Sequence, residues 1–382
     1  MEDISAALKA AEELVEALKK YKGGSPADPL DLLSRTDKVR AALEQPFNVL
    51  SRQTEVIVAA GALYSLILTG AIQKVPNDGS ITAEELAAAV DVDVSAITRL
   101  MRVAISNGVF IKTSADVYAH NALSQAYQVH ALGGFFLVSM DFNTSFTKLP
   151  EYVEAHKPGG LFDLKKSPFA FVFGKEGLTY YGLLEEDVEK RDVWNKTIQS
   201  IEKNMPIAGM FLFSSLKEQA EKEPDRPFFL KLQEQIPGVF GGKLILQDLP
   251  IVLDSLKPEE IPNIKKMAYD IFTPQPMLMS TSCDAFSMTF TTVCIDILKN
   301  TALAMGPDSR LIICDMLVPE KITADTPKDV YGMDLNLIMM SGREKQLKEF
   351  EAMFAIVGLE LVKIWPSGNG TTVQLETRLK RS

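Results

Sequence analysis

Asp225–Pro250 reads DRPFFLKLQEQIPGVFGGKLILQDLP, and the fold of the whole chain turns on it. Lys243-Leu-Ile-Leu-Gln-Asp248 is an apolar strand followed by a carboxylate. The preceding residues, about Phe229 to Ile236, carry a helical pattern that ends at Pro237-Gly238. Together they resemble the second half of a nucleotide-binding βαβ unit. Such a unit opens with a strand and a glycine-rich turn, whose backbone N–H groups face an anionic ligand. Here only Pro227-Phe228-Phe229 stands where that strand belongs, and no glycine-rich turn lies between Phe228 and Lys231. Either the neighbouring strands close over this remnant or it pairs briefly between them.

Downstream of Gly242 the pattern alternates between strand and helix. KLILQDLP is a strand, and IKKMAYDIF is a second, with Asp270 near its end. Ile295–Met305 is helical and is expected to close at Gly306-Pro307. SRLIICDMLVPE is a strand carrying Asp315. DVYGMDLNLIMMSG and EKQLKEFEAMFAIVG are helices. LELVKIW and TTVQLETRL are strands around a Ser-Gly-Asn-Gly turn at 367–370. Alternation of this kind predicts an α/β, doubly wound sheet. Its last two strands, joined by so few residues, must be antiparallel.

Upstream, residues 3–21 show helical spacing, and a Pro/Asp-rich linker leads to a charged helix over about Leu32–Arg52. The stretch from Glu55 to Ile72 is nearly continuous apolar sequence. A helix apolar on all sides buries itself against another domain or subunit, so it is a candidate dimer core. Thr82-Ala-Glu-Glu85 is a capping box. The helices EELAAAV and VSAITRLMRVAISNGV follow, then the β segments VFIKT and DVYAHN. This is a winged helix. With only Arg99 and Arg102 as basic residues on its second helix, it is expected to pack and dimerise rather than read DNA. From Ala126 to about Glu218 the chain is helical and rich in Phe, Tyr and Met, as an apolar ligand pocket would be.

The chain has 382 residues, 46% apolar and 24% charged, with net charge −10. That length supports two or three domains with a large core. The acidic balance disfavours nucleic acid or an anionic membrane as partner. Cys283, Cys294 and Cys314 lie in apolar sequence with no CxxC pair, as in a reducing compartment. No apolar run reaches a membrane span, and the acidic N-terminus does not have the pattern of a signal peptide. Cytoplasm is the expected location. The histidines are His120, His130 and His156, with no HExxH, no Cys/His cluster and no GxSxG. No metal site or serine hydrolase is expected.

Taken in order, these motifs resemble the fungal and plant small-molecule O-methyltransferases that use S-adenosylmethionine. The resemblance runs over nearly the whole length. It is carried by ITAEELAAAVDVDVSAITRLMRVAISNGVF, YAHNALSQAY, KLPEYVEA, IEKNMPIAGMF, LILQDLP, YDIFTPQP, ILKNTALAMGPDSRLIICDMLVPE and MSGREKQLKEFEAMFAIVGLELVKIW. It implies a Rossmann-like methyltransferase sheet with an antiparallel terminal hairpin. It also implies an N-terminal helical and winged-helix dimerisation domain, and a homodimer formed through it. The expected division is 1–125 for that domain and 126–382 for the α/β domain with its helical pocket insert.

The same resemblance assigns roles. Asp248 matches the ribose-binding acid and Asp270 an acid near the adenine. Glu344 matches a carboxylate that orients the family's histidine base, and Asp315 lies beside the other such position. The segment that holds that histidine in the family reads STSCDAFSMTFTTVC here, Ser280–Cys294, without histidine. With the glycine turn and the base both missing, the expectation is that the S-adenosylmethionine site is lost, that Asp248 and Asp270 are vestigial, and that no cofactor is used. Some methyltransferase-like proteins of fungal natural-product pathways act as cyclases or pericyclases. The expected function is therefore cyclisation of a hydrophobic small molecule held in a dry pocket. The alternatives are a non-catalytic co-regulator or scaffold, and residual O-methyl transfer. Candidate catalytic residues are Asp284, Ser287, Asn336 and Tyr180. Candidate pocket residues are Met140, Phe142, Phe173, Met205, Met210, Met333 and Met340.

Overall fold

A computed structural model describes residues 4–21, 27–128, 132–204, 210–223, 228–229, 244–257, 264–275, 278–283, 291–322, 326, 328–367 and 371–380. Two compact units emerge. One comprises residues 1–147 and 181–205, the other 148–180 and 206–382. Packing thus does not follow a single cut at 125/126.

In the first unit, Ile4–Lys20 and Ala27–Leu43 are helices. The next helix runs Pro46–Leu68, so the break falls before Pro46 and not near Arg52 as the charge pattern suggested. Pro46 lacks the N–H needed to continue a helix but suits its first turn. The helix ends where Gly70 takes φ 76°. Ala62, Leu63, Leu66 and Ile67 are buried, whereas Phe47 (74% exposed) and Ile57 (71%) leave an apolar row uncovered.

The winged helix forms as expected. Its helices are Ala83–Val90 and Val94–Ser106. Its strands β1 (Ile81–Thr82), β2 (Ile111–Ser114) and β3 (Val117–Ala119) pair in the order β1-β3-β2, all antiparallel. Leu86, Ile97, Met101, Phe110 and Tyr118 close its core with Leu66 and Ile72. The capping box is made: the Glu85 N–H donates to Thr82 Oγ1 at 3.1 Å, and the Thr82 N–H to Glu85 Oε2 at 2.9 Å. Thr82→Ala is expected to cost about 1 kcal/mol, read as a lower unfolding midpoint in urea. An unchanged midpoint would mean the cap contributes nothing.

The second unit carries a seven-stranded sheet ordered β6-β5-β4-β7-β8-β10-β9. Its strands are β4 (Phe228–Phe229), β5 (Leu244–Asp248), β6 (Ile264–Ala268), β7 (Leu278–Cys283), β8 (Met305–Met316), β9 (Leu359–Pro366) and β10 (Thr372–Leu379). β4 to β8 are mutually parallel, and β10 is antiparallel to both β8 and β9. The remnant pairs briefly on both sides: Phe228 and Phe229 face Leu244 and Ile245 in β5, and Ser280 and Thr281 in β7. Pro227, the helix expected over Phe229–Ile236 and the missing turn lie outside the described residues, apart from Phe229 itself.

β8 is buried through Leu311, Ile312, Ile313 and Cys314, the continuous apolar run of a strand covered on both faces. Leu311 and Ile313 pack with Leu375, with Cys294 and Leu298 of the helix Thr291–Ala304, and with Phe350 and Phe354 of the helix Leu347–Val357. Cys294 and Cys314 are buried and not disulfide-bonded, matching the expectation for those two.

Two local expectations change. Gly306-Pro307 does not close a helix but lies inside β8, where the register with β7 shifts between Leu278 and Ser280. An irregularity of this kind tolerates a proline that cannot donate to the ladder. Glu344 and Lys345 are not helical either: the helix starts at Leu347, behind a Gln346/Glu349 capping box. Lys345 instead bridges Leu317 just past β8.

Candidate functional site

In an open α/β sheet, ligands bind outside the carboxyl ends of the parallel strands, where the strand order reverses. The order runs outward from β4 through β5 to β6 on one side and through β7 to β8 on the other. The switch point is therefore between β4 and β7. The acids noted in the sequence fall along this edge.

Asp248 is the last residue of β5 and is half-buried. Its Oδ1 accepts the Leu249 N–H at 2.8 Å, and its carbonyl accepts the Tyr269 N–H at 3.0 Å, which ties the end of β5 to the exit of β6. Asp270 follows β6 and is exposed, with Oδ1 accepting the Phe272 N–H at 3.0 Å. Gln275 Nε2 donates to Gln247 Oε1 at 2.5 Å across the same edge. A carboxylate with one oxygen on its own backbone still has the other to receive a ligand hydroxyl. Asp248 thus fits a ribose diol, and Asp270, open to solvent, fits the rim.

A second acidic group lies at the far end of β8. Asp315 (8% exposed) and Glu344 (5%) are both buried. The Leu317–Lys345 bridge and a 3.0 Å bond from the Val318 N–H to the Lys345 carbonyl lay the Glu344 segment along the exit of β8. Asp315 Oδ1 accepts the Met316 N–H at 2.9 Å. The Glu344 N–H donates to Asp334 Oδ1 at 2.7 Å. Burial, and then the Asp315 charge, push the Glu344 carboxyl up to about 9, with Lys345 opposing and Asp334 adding to the rise. The family resemblance assigns these two acids only an orienting role. Their signal was an acid at a strand end and a second acid in GREK, but nothing in the spacing joined them.

The helix Asp329–Met339 carries Met333 and Asn336, both half-buried, and Met340 follows it, buried. The short helix Pro168–Val172 packs against it. Phe169 on that helix packs against Phe173 in a tilted arrangement, ring centroids 4.5 Å apart, and meets Tyr180 edge-on at 5.0 Å. The structure thus assembles Phe173 and Tyr180 around Phe169, on the element that adjoins the Met333 and Asn336 helix. Met210 is half-buried in the same unit. Met140 and Phe142 belong to the first unit, on the helix Leu132–Thr147. Asp284, Ser287 and Met205 lie outside the described residues.

The two described histidines are engaged elsewhere. His120 Nδ1 lies 2.8 Å from Ser124 Oγ, its ring stacked on Phe110. His156 stacks on Tyr152 at 4.2 Å, with Nδ1 3.0 Å from the Tyr152 carbonyl and Nε2 2.7 Å from Glu176. Tyr152 donates to the Lys166 carbonyl at 2.8 Å, and burial pushes its hydroxyl up to about 12. No group of three or more potential metal ligands occurs among the described residues, and no described helix is long and apolar enough to cross a membrane.

Residues 56–130 match the O-methyltransferase dimerisation domain family. O-methyltransferase hmp5 of Hypomyces subiculosus is 33% identical over 395 residues, covering 97% of each chain. Among solved structures, LepI in complex with SAM (S-adenosylmethionine) superposes with TM-score 0.84 at 18% identity, covering 98% of this chain and 100% of that one. A pericyclic reaction enzyme superposes with TM-score 0.79 at 17% identity, covering 99% and 100%. These structures show that the fold is shared. They also correct the expectation of no cofactor. The fold is one solved with SAM in place.

Proposed function

Because this chain belongs to the O-methyltransferase family, we propose that it is a methyltransferase-fold enzyme of natural-product metabolism that acts as a cyclase or pericyclase on a hydrophobic small molecule. One observation carries the reading: no histidine follows His156, so the segment after β7 has no imidazole base for hydroxyl activation. General-base assistance is worth about 10²–10⁴ in rate, and a chain without it is poorly equipped for methyl transfer to a hydroxyl. A cyclisation needs less acid–base help. Holding a flexible substrate in one folded conformer contributes up to about 7–11 kcal/mol in the best intramolecular cases.

The candidate residues take the following roles under this reading. Phe173, Met210, Met333 and Met340 are the candidates for apolar surface in the second unit, and Met140, Phe142 and Met205 are candidates within the first. Tyr180, Asn336, Asp284 and Ser287 are the candidate polar groups that orient the substrate. Asp248 would hold the ribose hydroxyls of an S-adenosylmethionine-type ligand, and Asp270 would meet its adenine end. When bound, that ligand supplies a sulfonium centre, which is both a methyl source and a fixed positive charge. The dimerisation domain and the uncovered row of Phe47, Leu50, Val56 and Ile57 support a homodimer. The net charge of −10 supports a partner other than nucleic acid, and a cytoplasmic location remains part of the proposal.

Deleting the gene in the organism that encodes it is expected to accumulate an uncyclised precursor, detected by metabolite profiling. A uniform fall in all products of a pathway would overturn this reading in favour of a co-regulator or scaffold. A second reading, O-methyl transfer, is favoured by the identity to hmp5 over 97% of both chains. Under it, the deletion strain would instead accumulate a product lacking one methyl group.

A further inference from the structure

Two carboxyls held together out of water cannot both ionise without large cost. Asp315 and Glu344 are such a pair, 8% and 5% exposed. Glu344 is held in place by its backbone: the preceding Ser341 takes φ 60°, and the Glu344 N–H is fixed on Asp334. Among the described residues, Glu344 Oε2 is buried and accepts from no N–H or O–H donor, and the Glu344 and Asp315 carboxyls lie within hydrogen-bonding reach of each other. A buried polar atom left unpaired costs stability, and in a native structure it points to a role that uses it.

The surrounding charges are few. From β8 comes Asp315, from the helix Asp329–Met339 comes Asp334, and from its own segment comes buried Lys345. Arg343 is ion-paired with Glu349 on the helix Leu347–Val357. Among the described residues, one buried cation thus stands against three carboxyl groups.

We propose that Asp315 and Glu344 share one proton, and that Glu344 offers it through Oε2 to a carbonyl or enol oxygen of the bound small molecule. This rests on the small-molecule reading given above. Donation breaks the Glu344 O–H bond and forms the substrate O–H bond. The electron pair stays on the Glu344 carboxylate, which Lys345 then faces. The same proton returns when the product oxygen is released, so no oxidant or reductant is consumed. The ligand class is an apolar molecule with at least one oxygen that gains basicity as it reacts.

The test is infrared spectroscopy of the intact chain, combined with complementation of the deletion strain. The unaltered protein is expected to show the C=O stretch of a buried, protonated carboxylic acid at neutral pH, fading as pH rises past about 9. Glu344→Gln, checked for folding by circular dichroism, is expected to lack the band and to form product about 10²-fold more slowly or worse. Glu344→Asp is expected to restore part of both. Absence of the band in the unaltered chain would overturn the shared proton whether or not any variant folds. Full product formation by folded Glu344→Gln would overturn the donation. If deletion of the gene changes no metabolite, the small-molecule reading fails and the donation with it, while the band still reports on the pair.

Discussion

Asp248→Ala is expected to weaken S-adenosylmethionine binding by about ten- to a hundredfold. A hydrogen bond to a charged group contributes about 1.5–3 kcal/mol, and each 1.4 kcal/mol is about tenfold in affinity. The estimate follows from where Asp248 sits. It ends β5, next to central β4, at the carboxyl edge where the strand order reverses. Only Oδ1 is taken up by its own backbone, through the Leu249 N–H. Asp270→Ala is expected to cost less. That residue is exposed, so any bond it makes to a ligand competes with water. Calorimetric titration of the parent and both variants checks the order. Equal affinities for parent and Asp248→Ala, or no binding by the parent, would remove Asp248 from the ligand site. A missing glycine pattern does not by itself remove a cofactor site from a fold that is solved with SAM in place.

How far the sequence carried the fold depended on how local the signal was. The strands after Gly242 were legible because period and punctuation agree: Leu244–Asp248, Leu359–Pro366 and Thr372–Leu379 all appear where alternation put them. The Thr82–Glu85 capping box was legible for the same reason, since both partners lie within one turn. The charge-to-apolar change near Arg52 is the louder signal, yet the missing N–H of Pro46 decides the helix start. Gly306-Pro307 looked like a helix stop, and only pairing with β7 shows it to be an irregular start of β8. The candidate site was less legible still. Phe173 and Tyr180 meet through Phe169, and Asp315 meets Glu344 through a bridge between Leu317 and Lys345. Such contacts join distant positions and leave no periodic trace.

The second large effect is on stability, and its sign is opposite to that of an ordinary salt-bridged acid. The Glu344 carboxyl is raised from 4.5 to about 9, by burial first and the Asp315 charge second. Between those values the folded chain keeps a proton that the unfolded chain has released. Stability therefore falls as pH rises through that window, by up to about 1.4 kcal/mol per pH unit for one whole proton. Below 4.5 both states hold the proton, and this contribution to the slope vanishes. Glu344→Gln keeps the shape and removes the titration. Urea unfolding of parent and variant at several pH values is thus expected to give curves that diverge in the variant's favour as pH rises, and that run parallel in acid. Asp315→Asn separates the two causes. It removes the like charge but leaves the burial, so it should narrow the window without closing it. Curves that stay parallel throughout would mean that Glu344 ionises in the folded chain as it does in water, and the shared proton would have to be abandoned.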